Sequence, residues 1–210
     1  MKESTQEFAK AIKVWRHPIY FLHGYLYFTQ YDRYVKACLQ LLRPYIRIFP
    51  RGRWFFDYLT DRYHFKMLTK EQITQVLTLD HDVAIEGGLA ARVVPFPIAN
   101  RVLISQPDHI AVMDCPCRLE KGSEACQPVN VCMAVGEPVA SFWMEHGEKY
   151  HVRRISSAEA LQLVEEERAR GHIQTAWFKD ATGGRPGSSA TAVPAAARGW
   201  RRCAPRGCCR

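Results

Sequence analysis

The stretch His109-Ile110-Ala111-Val112-Met113-Asp114-Cys115-Pro116-Cys117-Arg118 runs an unbroken apolar segment into a pair of cysteines. Residues 109–113 are short, apolar and bounded by a proline, the pattern of a buried strand. The strand ends where the thiols begin. Two more cysteines follow at 126 and 132, so Cys115, Cys117, Cys126 and Cys132 fall within eighteen residues with the spacing C-x-C-x8-C-x5-C. Eight cysteines spread evenly over 210 residues would put fewer than one in such a window. Four thiols this close can converge on one soft metal centre, because thiolates suit zinc, copper(I) and iron–sulfur clusters. Pro116 stiffens the C-x-C turn, and Gly122-Ser123 allows a flexible excursion between the ligand pairs. Arg118 adds a positive charge beside negative ligands, which would raise a reduction potential.

Outward from this core, Val129 to His146 is apolar on most faces and reads as a buried helix kinked or split at Pro138, with Pro128 in its first turn. Backbone N–H groups at the start of that helix would face cluster sulfurs. Pro97 to Ser105 also reads as a helix, and residues 83–94 as strand or loop around Gly87-Gly88. Thr69 with Gln72 forms a capping box for a helix through Leu79, and Ser156 with Glu159 a second one for a helix stopped by Gly171. Residues 172–178 read as a strand. Nearer the N-terminus, apolar residues between Tyr31 and Tyr45 recur at helical spacing, ending near Pro44, with Cys38 on the apolar face. The expected architecture is α+β: a helix-rich single domain with a few short strands and a disordered C-terminal tail. Its regions are an aromatic, basic, helical segment at 1–66, a metal-binding region at 67–182, and the tail at 183–210. The tail is rich in Gly, Ser, Pro and Ala and has no apolar period.

The net charge of +8 is unevenly placed: +7 over residues 1–66, −5 over 67–180 and +6 over 181–210. The cysteine-rich middle is therefore acidic, which argues against a nucleic-acid interface despite the basic total. No run approaches the roughly 18 apolar residues of a membrane span, and the first residues lack the order of a secretory signal, so the expected location is cytoplasmic. In that compartment a cysteine cluster favours metal over disulfide. The aromatic residues of 18–56 have three readings: a core-packing face, a weak peripheral contact with an anionic membrane, and a partner-docking face.

Competing motifs fit less well. Structural zinc sites show pairs spaced C-x2–4-C, and the first pair here is C-x-C. His146-Gly-Glu148 imitates the H-x-E of zinc deaminases without the following C-x-x-C. H-E-x-x-H, the P-loop and G-x-G-x-x-G are absent from the sequence, as is any local nucleophile context, so no enzyme is expected. The residues alone leave several readings: a cluster-binding electron carrier with an unidentified redox partner, a zinc-stabilised (Zn2+) interaction module, a cluster that serves as sensor or structural staple, or buried thiols without metal.

The run Ile110-Ala-Val-Met-Asp-Cys-Pro-Cys-Arg118, then Cys126-x-Pro128, Val131-Cys-Met133 and Gly136-Glu-Pro138, resembles a family of bacterial and archaeal 4Fe-4S ferredoxin-like proteins. The resemblance extends over about residues 63–185, through Arg154-Ile-Ser-Ser157, Gly171-His172 and Phe178-Lys-Asp-Ala181. It implies a [4Fe-4S] cluster on Cys115, Cys117, Cys126 and Cys132, and one-electron transfer. It also implies a second, denser cysteine motif after Arg185, where this chain reads Pro-Gly-Ser-Ser-Ala-Thr-Ala-Val-Pro-Ala-Ala-Ala. A TGC repeat read one base late becomes alanine codons, so this run is what a shifted reading frame would produce. On that reading Cys203, Cys208 and Cys209 are not ligands.

Overall fold

In a computed structural model the chain is described over residues 2–34, 63–86, 101–121, 127–179 and 186–192, with positions 36, 37, 40 and 48. The helices are α1 (Glu3–Ile12), α2 (Pro18–Thr29), α3 (Lys70–Leu77), α4 (Pro116–Lys121), α5 (Val139–His146) and α6 (Ser157–Ala169). The strands are β1 (Tyr63–Met67), β2 (Val83–Glu86), β3 (Arg101–Asp114), β4 (Asn130–Glu137), β5 (Arg153–Ile155), β6 (Ile173–Lys179) and β7 (Pro186–Ala192). A single 3-10 turn, Glu148–Tyr150, follows α5. The class is α+β.

Every strand pairing in the sheet is antiparallel, in the order β1-β6-β7-β4-β3-β2, with β5 also on β3. Its centre is the β3–β4 pair, in register from Ile110 opposite Val135 to Met113 opposite Cys132. Successive strand residues point to opposite faces, and here both faces are covered. One set, Ile110, Val112, Met133 and Val135, packs under α3 and α6 against Ile73, Leu77, Ala160 and Val164. The other face holds Met113, Cys115, Cys132 and Ala134, covered by Phe8 and Ile12 of α1, Tyr27 and Phe28 of α2, and Phe142 and Trp143 of α5. The rings interlock: Phe142 lies 5.0 Å from Phe8 and 5.3 Å from Phe28, and Trp143 lies 5.6 Å from Tyr31. The aromatic N-terminal segment is thus part of the core that encloses two of the cysteines.

Several local readings hold. Thr69 accepts a hydrogen bond from the Gln72 N–H while the Gln72 side chain accepts one from the Thr69 N–H, a complete capping box. Ser156 accepts from the Glu159 N–H at 3.2 Å. Gly171 follows the end of α6 with φ +79, the left-handed conformation that a helix stop requires. The expected strand at 109–113 lies within β3, and that at 172–178 coincides with β6 from Ile173 onward. Residues 31–34, 36, 37 and 40 are helical; Cys38 and Pro44 fall outside the described residues.

Three expectations are corrected. Residues 130–137 are strand β4, and the helix begins only at Val139. A strand covered on both faces is apolar at nearly every position, so it loses the alternation that distinguishes strand from buried helix. The expected helix at 97–105 is strand β3 from Arg101 onward; Val102, Leu103 and Ile104 pair with β2, and 97–100 are not described. Finally, Pro186–Ala192 is not tail but strand β7, seated between β6 and β4. Its Gly, Ser, Thr and Ala residues carry no hydrophobic signal. What holds a strand there is the backbone N–H and C=O groups of two neighbours, which need partners whatever the side chains.

Gly136, with φ +80, ends β4 at a close approach: a Cβ there would stand 2.8 Å from the Ser105 carbonyl oxygen.

Candidate functional site

Cys115 follows directly on β3, and its N–H is held 2.9 Å from the Val129 carbonyl. Pro116 then opens α4, with its fixed φ suited to a first helical position. The turn of α4 brings Cys117 back beside Cys115, while the Cys115 carbonyl accepts the Arg118 and Leu119 N–H groups. Cys132 arrives from β4, opposite Met113. The strand, the helix start and the neighbouring strand thereby bring three thiols together. Cys115 and Cys132 belong to one buried cluster, and Cys117 packs against it. Cys115 and Cys132 are buried and Cys117 is partly exposed. Cys126, the fourth cysteine of the motif, lies outside the described residues.

The three sulfurs are electrostatically unequal. Hydrogen bonds from Cys117 and Cys132, then the Arg118 N–H and the Arg118 charge, hold the Cys115 thiol well below its usual range despite burial. Cys132 is pushed up by its hydrogen bond to Cys115, by burial and by the neighbouring sulfurs. Tyr27 and Tyr31 close the site from the α2 side; burial raises both phenols well above 10.0, and proximity to Cys117 and Cys132 adds to this.

Arg118 is fully buried rather than on the surface. It donates to the Pro128 carbonyl and to Glu167 Oε2 at 2.6 Å, and Glu167 is likewise fully buried. His172 Nδ1 lies 2.7 Å from the same Glu167 oxygen, and Arg170 donates to Oε1 at 2.9 Å. The positive charge expected beside the thiols is present, but it is paired with a carboxylate on its far side. Such a pair acts on the sulfurs more weakly than a bare cation would. The helix N-terminus expected to face the sulfurs through Pro128 is not there, because Cys132 is on a strand. The helix start that does adjoin them belongs to α4.

Glu167 and His172 were not singled out as site residues from sequence. A signal existed: Ala160, Val164 and Glu167 share one buried stripe of α6 at four- and three-residue spacing. An acid on such a stripe calls for a buried cation. A separate cleft of about 650 Å³, lined by Glu3, Glu7, His109, Glu137, Ser141 and Glu145 among others, touches none of the cysteines.

The donor set is right for a soft metal in type: three thiols packed in one core, one of them favoured as thiolate. Among the described residues, however, no three His, Cys, Asp or Glu side chains are already arranged to hold a metal ion. To hold a metal ion these thiols would have to move or be joined by a further ligand.

Comparison with protein-family models, with curated proteins and with solved structures gives no match.

Proposed function

We propose that the chain is an iron–sulfur protein that binds one cluster through Cys115, Cys117 and Cys132, with Cys126 as fourth ligand, and serves in one-electron transfer. The single observation that carries this reading is the gathering of Cys115, Cys132 and Cys117 in one aromatic core cluster. Gathered from a strand end, a helix start and a second strand, the three thiols are the soft donors that a shared metal centre takes. A cluster held there would supply a reversible one-electron change. The chain's own part is to bury the site under Tyr27, Tyr31 and Trp143 and to hold the Cys115 turn through the Arg118 N–H on the Cys115 carbonyl and the Arg118–Glu167 pair. The resemblance of the cysteine motif to 4Fe-4S ferredoxin-like proteins supports the same assignment and favours the four-iron form.

Iron, zinc and acid-labile sulfide per chain after anaerobic purification, with a visible spectrum, test the reading. The expected content is about four iron and four sulfide, falling sharply in Cys117→Ser and Cys132→Ser and unchanged in Cys203→Ser. Stoichiometric zinc without sulfide would instead make the protein a zinc-stabilised binding module. Neither metal in freshly purified protein would remove both readings.

A further inference from the structure

We infer that the outer face of α2 is a docking surface for an anionic lipid bilayer, on which the protein lies without crossing it. Helix α2 is Pro-Ile-Tyr-Phe-Leu-His-Gly-Tyr-Leu-Tyr-Phe-Thr, with no Asp, Glu, Lys or Arg in twelve residues. A helix apolar on every side is expected in an interior or against lipid. Only one side of α2 is covered: Gly24, Tyr27 and Phe28 are buried on the aromatic core. The opposite side carries Ile19, 80% exposed, Leu22, 57%, and Leu26, 47%, continuing the line from Trp15, 96% exposed in the preceding turn. Within α2 the spacing 19, 22, 26 is three and four residues, so these three side chains form a single stripe, with Trp15 exposed in the turn before it.

Charge selects the occupant. The stripe is bracketed by exposed cations, Lys13 and Arg16 at one end and Arg33 and Lys36 at the other. From Phe8 to Tyr31 the sequence contains no Asp or Glu. The acid that follows, Asp32, is ion-paired with Lys149 at 2.7 Å. An apolar line with a tryptophan at its end and cations at both ends matches the acyl boundary and headgroup layer of an anionic membrane. No described helix is long and apolar enough to cross a membrane, and α2, at about 18 Å, is short of the hydrocarbon thickness. The contact is therefore parallel to the surface. A second copy of this chain would bring the same cations face to face, which disfavours self-pairing through this stripe.

The test uses the full chain with vesicles of phosphatidylcholine alone or mixed with phosphatidylglycerol. The expected result is sedimentation with the mixed vesicles only, weakened several-fold between about 0.05 and 0.5 M salt. Ile19→Glu and Leu22→Glu should each lower partitioning about tenfold. Both positions are solvent-facing, and unchanged circular dichroism and thermal midpoint would verify that the variants fold. A second readout keeps the wild-type chain: the Trp15 emission, isolated by subtracting the Trp15→Phe spectrum, should shift to the blue and be quenched by lipid-borne quenchers. Absence of binding to mixed vesicles at low salt would overturn the proposal. So would binding that survives both glutamate variants, which would assign the attraction to the basic termini alone. Concentration-dependent dimers abolished by the same variants, with no vesicle binding, would give the face to a second copy.

Discussion

Arg118 Nη2 lies 2.6 Å from Glu167 Oε2, with neither side chain exposed to solvent. The pair ties the helix start at the thiols to the C-terminal turn of α6, and the guanidinium also reaches the Pro128 carbonyl before β4. Removing Arg118 leaves the buried Glu167 with only Arg170 and His172, so Arg118→Met should cost up to about 3–5 kcal/mol in urea unfolding. The Arg118→Met/Glu167→Leu double variant should cost less than the sum of its parts. Arg118→Lys should also destabilise, because an ammonium lacks the planar fork that serves both acceptors. A loss below about 1 kcal/mol for Arg118→Met would mean that the pair is not holding these segments together.

Two glycines share a left-handed backbone and differ in their surroundings. At Gly136, φ +80, a Cβ would meet the Ser105 carbonyl oxygen at 2.8 Å and Ile104 at 3.1 Å. At Gly171, φ +79, it would meet nothing within 4 Å. Gly171→Ala should therefore cost only the conformational penalty, about 1–2 kcal/mol, and Gly136→Ala clearly more, since backbone must also move. Equal losses in thermal unfolding would contradict this.

Asp32 fastens the end of the α2 region to the 3-10 turn: it accepts from Lys149 at 2.7 Å and from the Tyr150 hydroxyl at 2.6 Å. Burial raises its pKa, but these hydrogen bonds outweigh burial and bring it down to about 2 from 3.8. A depressed carboxylate stabilises the fold above the unfolded value and loses that contribution as pH falls through the folded one. The stabilisation is thus complete above about pH 4 and fades toward pH 2. With the side chain 47% exposed, screening leaves about 1 kcal/mol or less. The wild-type advantage over Asp32→Asn in thermal midpoint should shrink steadily from pH 5 to pH 2; a constant difference would refute the assignment.

The capping box at Thr69 offers a control far from the thiols. Thr69→Ala removes the acceptor for the Gln72 N–H and should cost about 1 kcal/mol, while Thr69→Ser should be near neutral. Chemical denaturation of the three proteins decides it.

Elements announced by local chemistry were readable from the sequence: the Thr69 and Ser156 caps, the Gly171 stop, and the apolar run into Cys115 each depend on a few adjacent residues. Elements defined by what lies above and below them were not. The Val131–Val135 stretch is apolar throughout because helices cover both sheet faces, and period then carries no information. The seven residues of β7 have no pattern at all, since their place is fixed by open backbone on β4 and β6. For the site, clustering in sequence singled out Cys115, Cys117 and Cys132. It could not show that Arg118 is buried, because its partner Glu167 lies 49 residues away. Nor could it show that aromatics from α2 close over the sulfurs.

The position of β7 also fixes an order of assembly. Ala190 pairs with Thr175 on one side and with Cys132 on the other, so the β1–β6 pair joins the β3–β4 pair only through this strand. Up to Arg185, a chain emerging in order carries two half-sheets, each with an open edge able to pair with another molecule. The strand that joins them is the last of the described strands and brings no large apolar side chain with it. Chains cut before Pro186 should therefore associate through both half-sheets, with the β4 edge at Cys132 and Met133 as one of the sticky surfaces. A segment with the composition of a linker serves as the seam of the sheet.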